Sequence, residues 1–152
     1  MTARVLLVPF AVFLAVAAAS GCAESSLAPA SPSSVGGSPA VTVSQLAGTW
    51  NLVSIQPAGE IPQDTPAGAS YTLTFADGRL STRADCNTCN GAFALSGQDF
   101  AAGPVLACTR AACPTMTFEH TYTGLLGGAG TITLSGDVLV LSSSRGVLRF
   151  VR

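Results

Sequence analysis

Lysine is absent from the 152-residue chain, and histidine occurs once, at His120. Seven arginines carry the positive side-chain charge; if Arg4 leaves with the leader described below, six arginines face eight carboxylates, a net charge of −2 with His120 neutral. Nucleic-acid binding needs a basic face that displaces counterions from phosphates. None is built here, and no nucleic-acid partner is expected. A single histidine also leaves the serines without a recognisable nucleophile–base–orienter set. His120 adjoins Glu119 on an expected helix, so the two point to different faces and form no dyad. No catalytic residue is assigned, and the chain is expected not to be an enzyme. Asp77, Asp85 and Asp99 lack the regular spacing of a calcium loop, and no cofactor is expected. Trp50, the single tryptophan, reads as core early in a first strand.

Charge is scarce at the start too, and there the scarcity is informative. "MTARVLLVPFAVFLAVAAASGC" has one positive charge, Arg4, an uncharged apolar run from Val5 to Ala19, and small residues before Cys22. That is the pattern of a secretory signal peptide, residues 1–21. The run falls short of the about 20 apolar residues of a retained membrane helix. Ser20-Gly21-Cys22 resembles a bacterial lipobox, with Ala19 where that pattern prefers Leu. Cys22 is therefore expected to become the lipidated first residue, anchoring the protein to a membrane of the cell envelope, periplasmic or surface-exposed. Ordinary cleavage would instead leave Cys22 as an odd thiol open to wrong pairing. Residues 22–42, dominated by Ala, Ser, Pro and Gly, hold too little bulky apolar material to offset the entropy of ordering them. They read as a flexible tether, with packing conceivable near Val41 and Val43.

Residues 43–152 amount to about one small domain, expected to be a monomer and of a size that benefits from covalent staples. Its strongest periodicity is two. In "GTWNLVSIQ", Trp50, Leu52 and Ser54 alternate with Asn51, Val53 and Ile55; in "SYTLTFADGRL", Tyr71, Leu73 and Phe75 share a face, and Asp77-Gly78 marks a tight hairpin. "GAFALSG" offers Phe93 and Leu95. Gly136-Asp137 and Arg145-Gly146 punctuate three short strands near the end. Seven or so short strands with close turns predict an antiparallel barrel or sandwich. One segment departs from this pattern: Phe118, Tyr122, Leu125 and Leu126 fall at i, i+4, i+7 and i+8, with Pro114 before them and Gly127-Gly128 after. A helix over Thr115 to Leu126 is expected to cover an open end of the sheet with Phe118 and Tyr122 as its buried face.

Four cysteines remain, in "DCNTCNG" (Cys86, Cys89) and "ACTRAAC" (Cys108, Cys113). A redox pair usually places its low-pKa thiol at a helix start after a strand, whereas Cys89 leads into strand-like "AFALS". Zinc ligation is disfavoured by the wide second spacing and by an oxidising exported compartment. Structural disulfides are the preferred reading, and no metal is expected; four cysteines allow three connectivities.

The succession "GTW.L", "LTF.DGRL", "CN..NG.F", "TRAACP", "FE..Y..LL", "ITLSGDVLVL" and "G.LRF" resembles the META domain, the HslJ-like family of bacterial envelope lipoproteins, across Leu46 to Phe150. The resemblance implies a small, mainly β, lipocalin-like partial barrel with one helix packed on it. It also implies a general link to heat shock, envelope stress and antibiotic tolerance without an established catalytic activity. It assigns Cys86 and Cys113 to the family's two common cysteines, which pairs Cys89 with Cys108 as a nested second bridge. Asp85 stands where the family usually has glycine or another small residue. Three functions are compatible with this reading. The leading expectation is a non-enzymatic envelope lipoprotein that binds another, unidentified envelope protein. A small-ligand binder with a barrel cavity and, by analogy alone, a protease inhibitor are the alternatives.

Overall fold

The computed structural model describes residues 39–103 and 106–152. The expected signal peptide, Cys22 and the expected tether as far as residue 38 lie outside the described residues. A 3-10 turn, Val43–Leu46, precedes ten strands and one helix: β1 (Thr49–Pro57), β2 (Gln63–Asp64), β3 (Tyr71–Ala76), β4 (Arg79–Ala84), β5 (Asn87–Ser96), β6 (Asp99–Ala102), β7 (Ala107–Cys108), α1 (Met116–Leu126), β8 (Gly128–Ser135), β9 (Val138–Ser143) and β10 (Gly146–Val151). The ring runs β1-β3-β4-β5-β6-β8-β9-β10 and returns to β1, every pairing antiparallel. Two-residue strands hang off it, β2 on β1 and β7 on β5.

The partial barrel implied by the family resemblance is therefore corrected to a closed eight-stranded barrel. Closure depends on β10 lying along β1 from Asn51↔Val151 to Pro57↔Gly146, a pairing between the ends of the domain. At the last rung Gly146 has φ +146°, and a β-carbon there would run into the carbonyl oxygen of Gln56. Gly146→Ala combines a strained backbone with overpacking against a neighbouring strand, so it is expected to cost about 3 kcal/mol or more. A urea midpoint unchanged from wild type would show that the seam tolerates a wider spacing.

Alternation accounts for the core. Tyr71, Leu73 and Phe75 are buried, as are Leu80, Thr82 and Ala84 opposite them. Asp77 (φ 50°) and Gly78 (φ 71°) form the two-residue hairpin turn that matches the strand twist. In β1 the simple alternation fails. The register against β10 slips between Leu52 and Ser54, so Val53 is a bulged residue facing outward and Ile55 joins Trp50 and Leu52 inside. Trp50 is fully buried; its Nε1–H donates to the Leu46 carbonyl at 2.9 Å, and the Arg152 guanidinium sits 4.4 Å from its ring centre. Large side chains from opposite walls, among them Phe150, Ile132, Leu139 and Leu148, complete the interior. An eight-stranded barrel is about narrow enough for side chains alone to fill.

The antiparallel order gives the barrel two poles. Turns 77–78, 97–98 and 136–137 lie at one, and turns 85–86 and 144–145 at the other. The chain arrives at the first pole. Val41 is 6% exposed and donates its N–H to the Gly97 carbonyl, while Gln98 Nε2 donates to the Pro39 carbonyl. Residues 39–42, read from sequence as the end of the tether, thus pack on the domain, because Val41 finds an apolar seat beside the β5–β6 turn; Val43 is exposed.

Candidate functional site

At the second pole β6 is too short to accompany the whole of β5. It pairs with Phe93–Ser96, and the first half of β5 pairs with β7 instead, Cys89 opposite Cys108. The connection from β6 to α1 therefore swings away from the barrel wall, and α1 lies across the end of the barrel against β1, β4 and β10. Its buried face is Glu119, Tyr122 and Leu126, at i, i+3 and i+7. Phe118, expected to be buried, is only partly so and lies at the edge of the core, edge-on to Tyr71 at 5.0 Å. The helix is turned so that Tyr122 takes the central place: its ring is edge-on to Tyr71 at 5.3 Å and to Phe150 at 6.4 Å, and its hydroxyl is 2.6 Å from Thr82 Oγ1. Since Thr82 spends its own hydrogen on the Thr72 carbonyl, also at 2.6 Å, Tyr122 is the donor.

Two disulfides hold the connection. Cys86 is bonded to Cys113 and Cys89 to Cys108, with sequence separations of 27 and 19. The first ties the β4–β5 turn to the approach of the helix. Asp85 in that turn has φ 56° and accepts from Thr115 N–H at 3.3 Å and Thr115 Oγ1 at 2.6 Å, while Tyr71 Oη lies 2.7 Å from the same Thr115 oxygen. The left-handed conformation gives a physical reason for the small residue that the family favours here. Asp tolerates that conformation, and its carboxylate also meets the positive end of the helix dipole.

Asn87 organises the rest. It is 2% exposed; its Oδ1 accepts from Thr109 Oγ1 and Ala111 N–H, both at 2.8 Å, and its Nδ2 donates to the Ala111 carbonyl at 3.0 Å. One side chain thus serves residues 109–111 as a strand partner would. The same Nδ2 lies 2.9 and 3.0 Å from the two carboxylate oxygens of Glu119, which is 7% exposed. Between the connection and α1 opens a groove of ≈ 640 Å³. Leu106, Ala107, Ala112 and Met116 supply apolar walls, Asn87 and Glu119 the floor, and Arg110 and His120 the rim. A neighbouring depression of ≈ 350 Å³ extends it past His120 and Thr123 to Arg145.

Of the residues singled out from sequence, the groove brings together Cys108 and His120; Cys86 lies outside its lining, and Trp50 is in the core. His120 is exposed, on a different face from Glu119. Among the described residues no group of three or more His, Cys, Asp or Glu is placed to hold a metal ion. Asn87 escaped the sequence reading, which weighed Glu119 only as a neighbour of His120 and not as a buried group. The available signal was the position of Glu119, three residues before Tyr122 and seven before Leu126, on the apolar side of the helix.

No curated protein sequence matches the chain. Among solved structures, an NMR structure of a protein from Burkholderia xenovorans is similar at 24% identity and a TM-score of 0.61, over 82% of this chain and 98% of that one. A second NMR structure is similar at 22% identity and a TM-score of 0.57, over 73% and 94%. At such identities the likeness concerns the fold alone. The family model described as META domain matches residues 44–152, from the 3-10 turn through the whole closed barrel and its helix, and the chain belongs to the META domain family.

Proposed function

We propose that the protein is a non-enzymatic, lipid-anchored component of the cell envelope that acts by binding another envelope protein through its helix pole. The observation that carries this reading is the groove. Its walls are held in place by two disulfides and by Asn87, so little ordering entropy is lost when a partner seats there. Trp50, Tyr122 and Phe150 fill the barrel interior, which favours recognition on the outside. The same pole carries Ile61, 82% exposed, on a loop pinned by Ala58 N–H to the Arg145 carbonyl and by Gln56 Nε2 to the Glu60 carbonyl. Pro39 packs at the opposite pole, so the described chain enters the domain at the end away from the groove.

A photo-crosslinking residue at Ala112, exposed in the groove wall, is expected to capture a reproducible envelope protein that the same residue at Ser96, near the other pole, does not. Equal capture from both positions, or none from either, overturns the reading. The groove volume is also within the range of small-ligand sites, about 300–1,000 Å³; a small molecule that co-purifies and is lost on filling the groove would favour the second reading. The anchor has its own test. Wild-type protein is expected to partition with membranes, and Cys22→Ala to release it or stall its processing; soluble wild type with an unmodified Cys22 would refute lipidation.

A further inference from the structure

The donor count at the floor of the groove identifies what it takes. The Asn87 amide has two hydrogens, yet four acceptors crowd them: the Ala111 carbonyl, Cys113 Sγ and both Glu119 oxygens. One hydrogen is committed to Ala111, so the Glu119 carboxylate shares the other, although a carboxylate offers about four acceptor sites. The one ion pair among the described residues is Arg152–Asp137 at the other pole, so Glu119 has no cationic partner within ion-pair distance; Arg110 and His120 line the same groove without reaching it. A carboxylate 7% exposed, short of donors and open to a groove is a seat for an external donor that carries positive charge.

The walls narrow the choice. Leu106, Ala107, Ala112 and Met116, the last 42% exposed, offer apolar surface between the rim and that carboxylate. An aliphatic stem ending in a cation matches both features, since such side chains lay their methylenes on apolar surface and keep the charged head on a polar partner. We infer that the groove receives a lysine or arginine side chain presented by the partner protein, with Glu119 as its counter-ion and Asn87 orienting the carboxylate. The inference rests on the protein-binding reading above and names the chemistry of the contact.

Its test does not require the partner. The asparagines of the chain are Asn51, Asn87 and Asn90, so 15N-asparagine labelling of the full exported protein in detergent gives few side-chain amide signals, and Asn87 reports on the floor. Titration with the capped peptides Ala-Lys-Ala and Ala-Arg-Ala is expected to shift the Asn87 amide saturably. The Ala-norleucine-Ala peptide, with the stem and no charge, should bind at least tenfold more weakly. Glu119→Gln should abolish the preference for the cation. Should that change disturb the fold, Ala112→Trp, which blocks the groove from an exposed position and leaves the floor intact, should abolish the shift. Absence of any shift, equal shifts with norleucine, or shifts that persist in Ala112→Trp would overturn the inference. A crosslinked partner with no cation-dependent shift would sink the lysine or arginine contact and leave the protein-binding reading standing. A cation-dependent shift with no envelope partner would do the reverse.

Discussion

Tyr122→Ala is expected to lower the unfolding free energy by about 4–6 kcal/mol, enough to unfold much of a marginally stable domain. Loss of a fully buried aromatic accounts for about 3–5 kcal/mol, and the hydroxyl of Thr82, deprived of its donor in the interior, adds about 1 kcal/mol. Phe118→Ala should cost less, about 2–3 kcal/mol, because that ring packs at the edge of the core and is only partly buried. Urea midpoints compare the two directly; an equal or larger loss at Phe118 would mean that the helix presents a different face from the one described. Tyr122→Phe isolates the hydroxyl and should cost about 1 kcal/mol. It also carries a pH signature. Burial holds the Tyr122 phenol above its ordinary value of about 10. A folded pKa above the unfolded one means that folding favours the protonated form, so this stability is complete below about pH 10 and is lost as pH rises beyond it. Tyr71, raised mainly by burial as well, acts with the same sign. Tyr122→Phe should make the alkaline limb of the stability profile shallower; an unaltered limb would show that Tyr122 does not set it.

Removal of the disulfides is the second large effect. Loops of 27 and 19 residues correspond to about 3–4 kcal/mol each through restraint of the unfolded chain. The loops are nested, so losing both should cost less than twice that. Non-reduced exported protein is expected to show no free thiol at Cys86, Cys89, Cys108 or Cys113 and no stoichiometric zinc, because a bonded sulfur cannot be a thiolate ligand. Digestion should recover the two linked pairs. The pair Cys86→Ser with Cys113→Ser should also lower amide protection at the start of α1, and the other pair should lower it at β7. Identical urea midpoints for oxidised and reduced protein, or bound zinc, would refute the structural role of the bridges.

Much of this was legible in the sequence because it is local. Tyr71, Leu73 and Phe75 alternate inside one strand, Asp77-Gly78 is a turn with its own chemistry, and the apolar spacing up to Leu126 marks a helix to within a residue of its start at Met116. What escaped depends on residues distant along the chain. The β1–β10 seam leaves no trace in either strand alone. The bulge at Val53 exists only against β10, and it alone turns Ile55 inward. Glu119 carries a charge, so it reads as solvent-facing until Asn87 is placed beside it, and Asn87 itself sits inside a cysteine motif that draws attention to its neighbours. Val41 looks like tether until the β5–β6 turn supplies its seat.

The seam between β1 and β10 also bears on the order in which the chain can fold. β1 is among the first segments of the domain to emerge during synthesis or export, and its longest partner, Gly146–Val151, is among the last. Until then β1 has one neighbour over Thr49–Asn51 and a two-residue partner at Ser54–Ile55, too little to offset the closure of so large a loop. Closure of the ring therefore waits for the last strand of the domain: a chain that stops before Gly146–Val151 leaves β1 and β9 each with an unpaired edge.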